Sequence, residues 1–113
     1  MLLKHHDDYT TFFIGKDAKD NFDVIDLGKD SDYWIHAENE ASCHVVVKFD
    51  ENVEYTKKQK NLIIKQGALY CKLNTNKLKT KSKVSFMYTL LANVSKTSIL
   101  GQVRVSSYKI ATV

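Results

Sequence analysis

DYWIHAENEASCHVVVKF, residues Asp32–Phe49, is the stretch that decides the fold. Tyr33–Ala37 and His44–Phe49 are rich in β-branched and aromatic residues, and the polar segment Glu38–Ser42 separates them. That is the pattern of two antiparallel strands joined by a long hairpin connection. Side chains alternate across a strand, so Trp34 and His36 share one face while Tyr33 and Ile35 share the other. Pairing of the two strands brings His36 and His44 near each other.

The flanks follow. Tyr9–Ile14 predicts a strand that stops at Gly15. Phe22, Ile25 and Leu27 at helical spacing, with Asp17 as cap and Gly28 as stop, predict a short helix. Thr56 and Gln59 match a capping box, which starts the best helix of the chain. Leu62, Ile63, Leu69, Tyr70 and Leu73 give it an apolar stripe, with Lys58, Lys65 and Lys72 opposite. Gly67 weakens this helix or lets a strand pack closely, and Asn74–Asn76 stop it. Val84–Tyr88 predicts a strand, followed by a loop through Asn93 and Lys96. Gln102–Ser106 and Lys109–Val113 read as closing strands. The expected fold is α+β: a mainly antiparallel sheet with one long helix and one short helix packed on it. Residues 1–113 form one domain, with residues 1–8 as a frayed arm.

Charge is divided sharply along the chain. All 13 acidic residues lie between Asp7 and Glu54, and 12 of the 17 basic residues follow Glu54. Met1–Tyr55 carries a net −8 and Thr56–Val113 a net +12. Either the two halves interleave and cancel, or the basic half presents a face to a polyanion. Lys77, Lys79, Lys81 and Lys83 alternate, which on an extended strand places all four on one face. Such a face must be wet or meet phosphates; the alternative is a solvated loop after the helix. Lys96 and Arg104 follow. With 16 lysines against one arginine, contacts should go to phosphate backbone and shape more than to base edges. Trp34 and Tyr33 are either core or edge aromatics with His36 a satisfied polar residue beside them, or Trp34 and His36 add a stacking surface.

Other chemistries find less support. A metal site would recruit His36, His44, Cys43 and Asp32, yet Cys43 and His44 are adjacent and point to opposite faces. Cysteine–histidine catalysis lacks an orienting third group. The four glycines are isolated, so no phosphate-cradling loop exists. No cofactor is expected. Cys43 and Cys71 form no CxxC pair, which suits a reducing compartment. The residues before Phe13 are too polar for a signal peptide, and no apolar run approaches a membrane span.

Three collinear stretches resemble the NFACT-R domain family. They are Ile14–Asn21 (IGKDAKDN), Asp32–Ala37 (DYWIHA) leading to Ser42–Val45 (SCHV), and Val84–Tyr88 (VSFMY) followed by Asn93–Lys96 (NVSK) and Gly101–Val103 (GQV). The likeness covers about Tyr9 to Val113 and is greatest to short stand-alone members. It departs at Glu40-Ala41, where many relatives carry Pro-Gly. Large members act in ribosome-associated quality control, holding tRNA on the large subunit and supporting template-free tailing. A short eukaryotic relative is linked to DNA sensing. The resemblance places Asp32, Trp34, His36, His44, Lys96 and Gln102 at the binding surface. These 113 residues hold no counterpart of the family's other modules, so it implies a minimal RNA-binding part, not tailing.

The expectation is a cytoplasmic, non-enzymatic RNA-binding module for tRNA or ribosomal RNA. Its site residues are Trp34, His36, His44, Lys77, Lys79, Lys81, Lys83, Lys96, Gln102 and Arg104. A ribosome-associated protein partner, DNA binding and weak self-association stay open, and no membrane partner is expected.

Overall fold

The computed structural model describes all residues, Met1–Val113. Its strands are β1 (Leu2–His5), β2 (Thr10–Gly15), β3 (Tyr33–Ala37), β4 (His44–Phe49), β5 (Ser85–Leu90), β6 (Val94–Lys96), β7 (Val103–Val105) and β8 (Lys109–Thr112). The helices are α1 (Ala18–Leu27) and α2 (Lys57–Leu73). Six strands make one sheet in the order β1-β2-β4-β3-β5-β8, and β6 and β7 form a separate ribbon. Every pairing is antiparallel. The chain is therefore α+β with an antiparallel sheet.

The sheet is covered on both faces, which makes three layers. Alternation sends Phe12, Ile14, Ile35, Val45, Val47 and Phe86 to one face, where they pack with Ile63, Ile64, Ala68 and Cys71 of α2. Trp34 and Val46 face the other way, beneath Val24 of α1 and Val103 and Val105 of the ribbon. Helix α2 begins as its sequence predicts: Thr56 Oγ1 accepts from the Gln59 amide at 3.1 Å, and Gln59 Oε1 accepts from the Thr56 amide at 2.8 Å. Asp17 caps α1 by accepting from the Asp20 amide at 2.8 Å.

Four expectations change. The predicted frayed arm contains β1, whose Leu2–His5 pairs with β2. The predicted stripe on α2 holds in part: Ile63 is buried and Tyr70 packs against the core, but Leu62 and Leu73 are exposed, and Ile64, Gly67, Ala68 and Cys71 complete the buried face. Small residues win there because the sheet comes close. A Cβ on Gly67 would lie 2.6 Å from Ile35 Cδ1 and 3.3 Å from both Phe12 and Val47. Lys72, expected on the wet face, is buried, and its ammonium donates to the carbonyls of Ser82 and Val113 at 3.4 Å. The expected loop through Asn93 and Lys96 is a single 3-10 turn, Leu91–Asn93, that runs into β6.

The lysine run Lys77–Lys83 is not a strand. Its backbone turns on itself, with Leu78 and Lys79 amides bonded to the Thr75 carbonyl and the Lys81 amide to that of Leu78. Leu78 plugs the core with no exposure, which forces the turn and fans the neighbouring lysines outward. Cys43 and Cys71 meet inside the core as free thiols, Sγ to Sγ 3.3 Å. Burial pushes the Cys71 thiol up.

Candidate functional site

The face under α1 and the ribbon is not fully sealed. Between them lies a cavity of about 390 Å3 lined by Trp34, His36, His44, Gln102, Asn21 and Met87, among others. The hairpin β3–β4 supplies the aromatic floor, α1 and the 39–42 loop two sides, and the ribbon the fourth. Gly101, with φ of 82°, permits the turn that brings the ribbon against Ala18 of α1; a Cβ there would sit 2.8 Å from the Ala18 Cα.

Three rings form a fixed cluster. Trp34 stacks on His36 with centroids 5.5 Å apart and planes 4° from parallel, and His36 meets His44 edge-on at 4.8 Å. Trp34 Nε1 donates to His44 Nδ1 at 3.1 Å. Indole can only donate, so this nitrogen of His44 is the unprotonated one and the proton sits on Nε2. His36 Nδ1 lies 2.6 Å from the Ala37 carbonyl, so it is the donor and leaves Nε2 as an acceptor. Burial, with the nearby His36, lowers the His44 pKa to about 3. Burial also lowers that of His36, helped by the positive charge of Lys77 and opposed by the Ala37 bond. Both rings are neutral at pH 7. A neutral pair with one acceptor and one donor suits a hydroxyl or a base edge better than a phosphate.

The structure redistributes the predicted site residues. Trp34, at 1% exposure, is no stacking platform for a ligand; it positions the two histidines. His44 is likewise buried, which leaves His36, half-buried, as the accessible ring. Asp32 is a structural residue: its carboxylate accepts from the Lys29 amide at 2.8 Å and the Phe49 amide at 3.0 Å, tying the turn before β3 to the end of β4. Gln102 is exposed at the cavity wall.

Among the cations, Lys77, Lys79 and Lys83 are exposed and free of carboxylates. Lys81 grips Glu40 of the cavity rim at 3.1 Å through both oxygens. Lys96 is drawn away to Asp26 of α1, 2.7 Å to each oxygen, over the Phe22 ring. Arg104 points out of the ribbon while its neighbours Val103 and Val105 line the cavity. Of the 12 basic residues after Glu54, only Lys81 and Lys96 pair with a carboxylate, so the two halves do not cancel residue by residue. No group of three or more His, Cys, Asp or Glu side chains is placed to hold a metal ion.

Sequence reasoning missed Asn21, whose Oδ1 accepts from the His44 amide at 3.1 Å and locks α1 to the floor. Its signal was Gly15, where a Cβ would lie 2.6 Å from that oxygen.

Comparison with known proteins gives concordant results. A family model described as "NFACT protein RNA binding domain" matches residues 2–107. Coiled-coil domain-containing protein 25 of Mus musculus is 30% identical over 110 residues, which is 91% of this chain and 51% of that protein. The Bos taurus protein of the same name matches equally, at 30% over 110 residues. The chain thus spans about half the length of the curated relatives it matches. In three dimensions it superposes on the C-terminal part of the fibronectin/fibrinogen-binding protein from Streptococcus suis, with a TM-score of 0.79 at 18% identity. That match covers 98% of this chain and 43% of the other, and it speaks to the fold alone.

Proposed function

The chain belongs to the NFACT protein RNA-binding domain family, and on that premise we propose that it is a small cytoplasmic module that binds tRNA or ribosomal RNA. Unpaired cations carry the reading: Lys77, Lys79 and Lys83 are exposed on the turn whose Lys81 grips Glu40 of the cavity rim, and the accessible ring of that cavity, His36, is a neutral acceptor. The lysines would take backbone phosphates as point charges, and His36 with Gln102 a ribose hydroxyl or base edge. Recognition is then by backbone and shape, with weak sequence preference and no catalytic step. An acceptor suited to the 2′-hydroxyl favours RNA over DNA.

The test is fluorescence anisotropy with labelled tRNA, single-stranded RNA and duplex DNA across a salt series. Binding to four to six phosphates gives a log–log salt slope of about −3 to −4 for single strands. Replacing Lys77, Lys79 and Lys83 by Gln should make that slope shallower by about 2. An unchanged slope removes this face as the phosphate contact, and tighter binding to DNA than to RNA removes the hydroxyl reading. A second reading, docking on a protein partner, is favoured by Ile99 and Leu100, exposed side by side at the ribbon's tip. Leu100→Ser would weaken such docking and leave RNA affinity unchanged.

A further inference from the structure

The far end of β3 holds a second recess, remote from the His36 cavity. His36 lies near the Ala37 end of the strand, and this groove, of about 370 Å3, lies at the Tyr33 end and on the opposite face. The first turns of α2 form one wall and the ends of β5 and β8 the other. Lys57, Lys60 and Lys109 converge on it from the two walls, and no acidic residue lines it. None of the three makes an ion pair. Tyr33 and Tyr88 lie half-buried on its sheet side with ring centroids 6.2 Å apart, and Tyr108 stands 47% exposed at its rim.

Two features make this arrangement costly unless something occupies it. The first turn of α2 carries no acidic residue, yet Lys57, Lys58 and Lys60 crowd the end of the helix where the backbone dipole is already positive. Lys57 and Lys60 are also a like-charged pair at helical i, i+3 spacing, which repels. An anion in the groove relieves both. The exposed tyrosine beside that charge adds what an inorganic anion does not need: a flat apolar face for a base.

We propose that this groove holds an unpaired, phosphate-bearing nucleotide, its base against Tyr108 and its phosphate between Lys57, Lys60 and Lys109. The inference rests on the RNA-binding reading but concerns a separate surface, so the chain would contact RNA at both ends of its sheet.

Backbone-amide NMR on the whole chain tests it with adenosine 5′-monophosphate, adenosine and inorganic phosphate as probes. The monophosphate should shift the amides of residues 57–61 and 107–109 saturably, and more tightly than either fragment. Lys57→Gln/Lys60→Gln/Lys109→Gln should weaken it roughly ten-fold and Tyr108→Ala roughly five-fold, while the amide spectrum stays folded. Shifts confined to other regions, or phosphate binding as tightly as the nucleotide, overturn the proposal. So does tighter binding of a phosphotyrosine peptide, which would assign the groove to a protein. If the groove fails while tRNA binding persists, only this inference falls; if no nucleic acid binds at all, the RNA reading falls with it.

Discussion

The two faces of the sheet are buried in different ways. Under α2, Phe12, Ile14, Ile35, Val45, Val47 and Phe86 pack against one continuous helix, and the groove on this side opens at its margin, at the Tyr33 end. Under α1 and the β6–β7 ribbon, two small pieces cover the sheet and a cavity opens where they meet. The floor of that gap is Trp34, His36 and His44, polar groups that hydrogen bond to one another or to the backbone. A face sealed by one element can be aliphatic and supplies stability. A face covered in parts needs polar residues with assigned partners, and the one left half-open among them, His36, is the accessible group of the candidate site.

The sharpest way to break this comparison is at two neighbours on β2. Phe12 is fully buried on the α2 side, edge-on to Tyr70 at 5.2 Å, and Phe13 is half-buried on the other. Phe12→Ala should cost about 3–5 kcal/mol in denaturant unfolding, and Phe13→Ala less than half of that. Equal losses would mean that both faces hold the fold alike.

A second test uses acid, which should strike only the polar face. The folded pKa of His44 lies at about 3, below the unfolded value near 6.5. The unfolded chain therefore binds the proton first, and stability, constant above about pH 6.5, is lost as pH falls toward about 3. Between pH 6.5 and 5 the loss is about 2 kcal/mol from His44, with His36 acting in the same direction. His44→Leu should flatten this dependence. It should also cost about 1–3 kcal/mol at pH 7, because the Trp34 N–H loses its buried acceptor. A wild-type protein equally stable at pH 7 and 5 would refute the neutral, buried assignment of His44.

The sequence made local features legible and left close packing obscure. The capping box at Thr56 and Gln59, the Asp17 cap and the bounds of β3 and β4 depend on residues near one another in the chain, and they read correctly. The buried face of α2 read only in part, at Ile63, Tyr70 and the close strand approach at Gly67. Hydropathy ranks Leu62 and Leu73 above Gly67 and Ala68, yet the close approach of Ile35 leaves room only for small side chains. Strand β1 was hidden because three of its four residues are exposed and its order comes from pairing with β2. The alternation of Lys77–Lys83 left an extended strand and a solvated loop both open, and the buried Leu78 among them anchors a turn. For the site, the family resemblance named Trp34, His36, His44 and Gln102, which line one cavity, together with Asp32 and Lys96, which do not. Burial divided their roles, and it depends on α1 and the ribbon, whose docking no local pattern reveals.

The finest distinction concerns which lysines act, and Lys96 separates position in the family pattern from available charge. Its ammonium lies 2.7 Å from both oxygens of Asp26, so its charge is already answered, unlike that of Lys77, Lys79 or Lys83. An exposed pair of this kind is weak and yields to competing phosphates only in part. Lys96→Gln should therefore lower RNA affinity less than two-fold at near-physiological salt, where each of the free lysines should cost about three-fold. Asp26→Asn should act in the opposite sense. It releases Lys96 without moving any residue of the cavity, and RNA affinity should rise by up to about three-fold, with a salt slope steeper by about 0.7. Anisotropy titrations of both variants beside the Lys77→Gln protein decide it. If Lys96→Gln weakens binding as much as Lys77→Gln, the ion pair opens on binding and the interface extends across the α1 side. If Asp26→Asn changes nothing, Lys96 and the α1 side around it lie outside the interface.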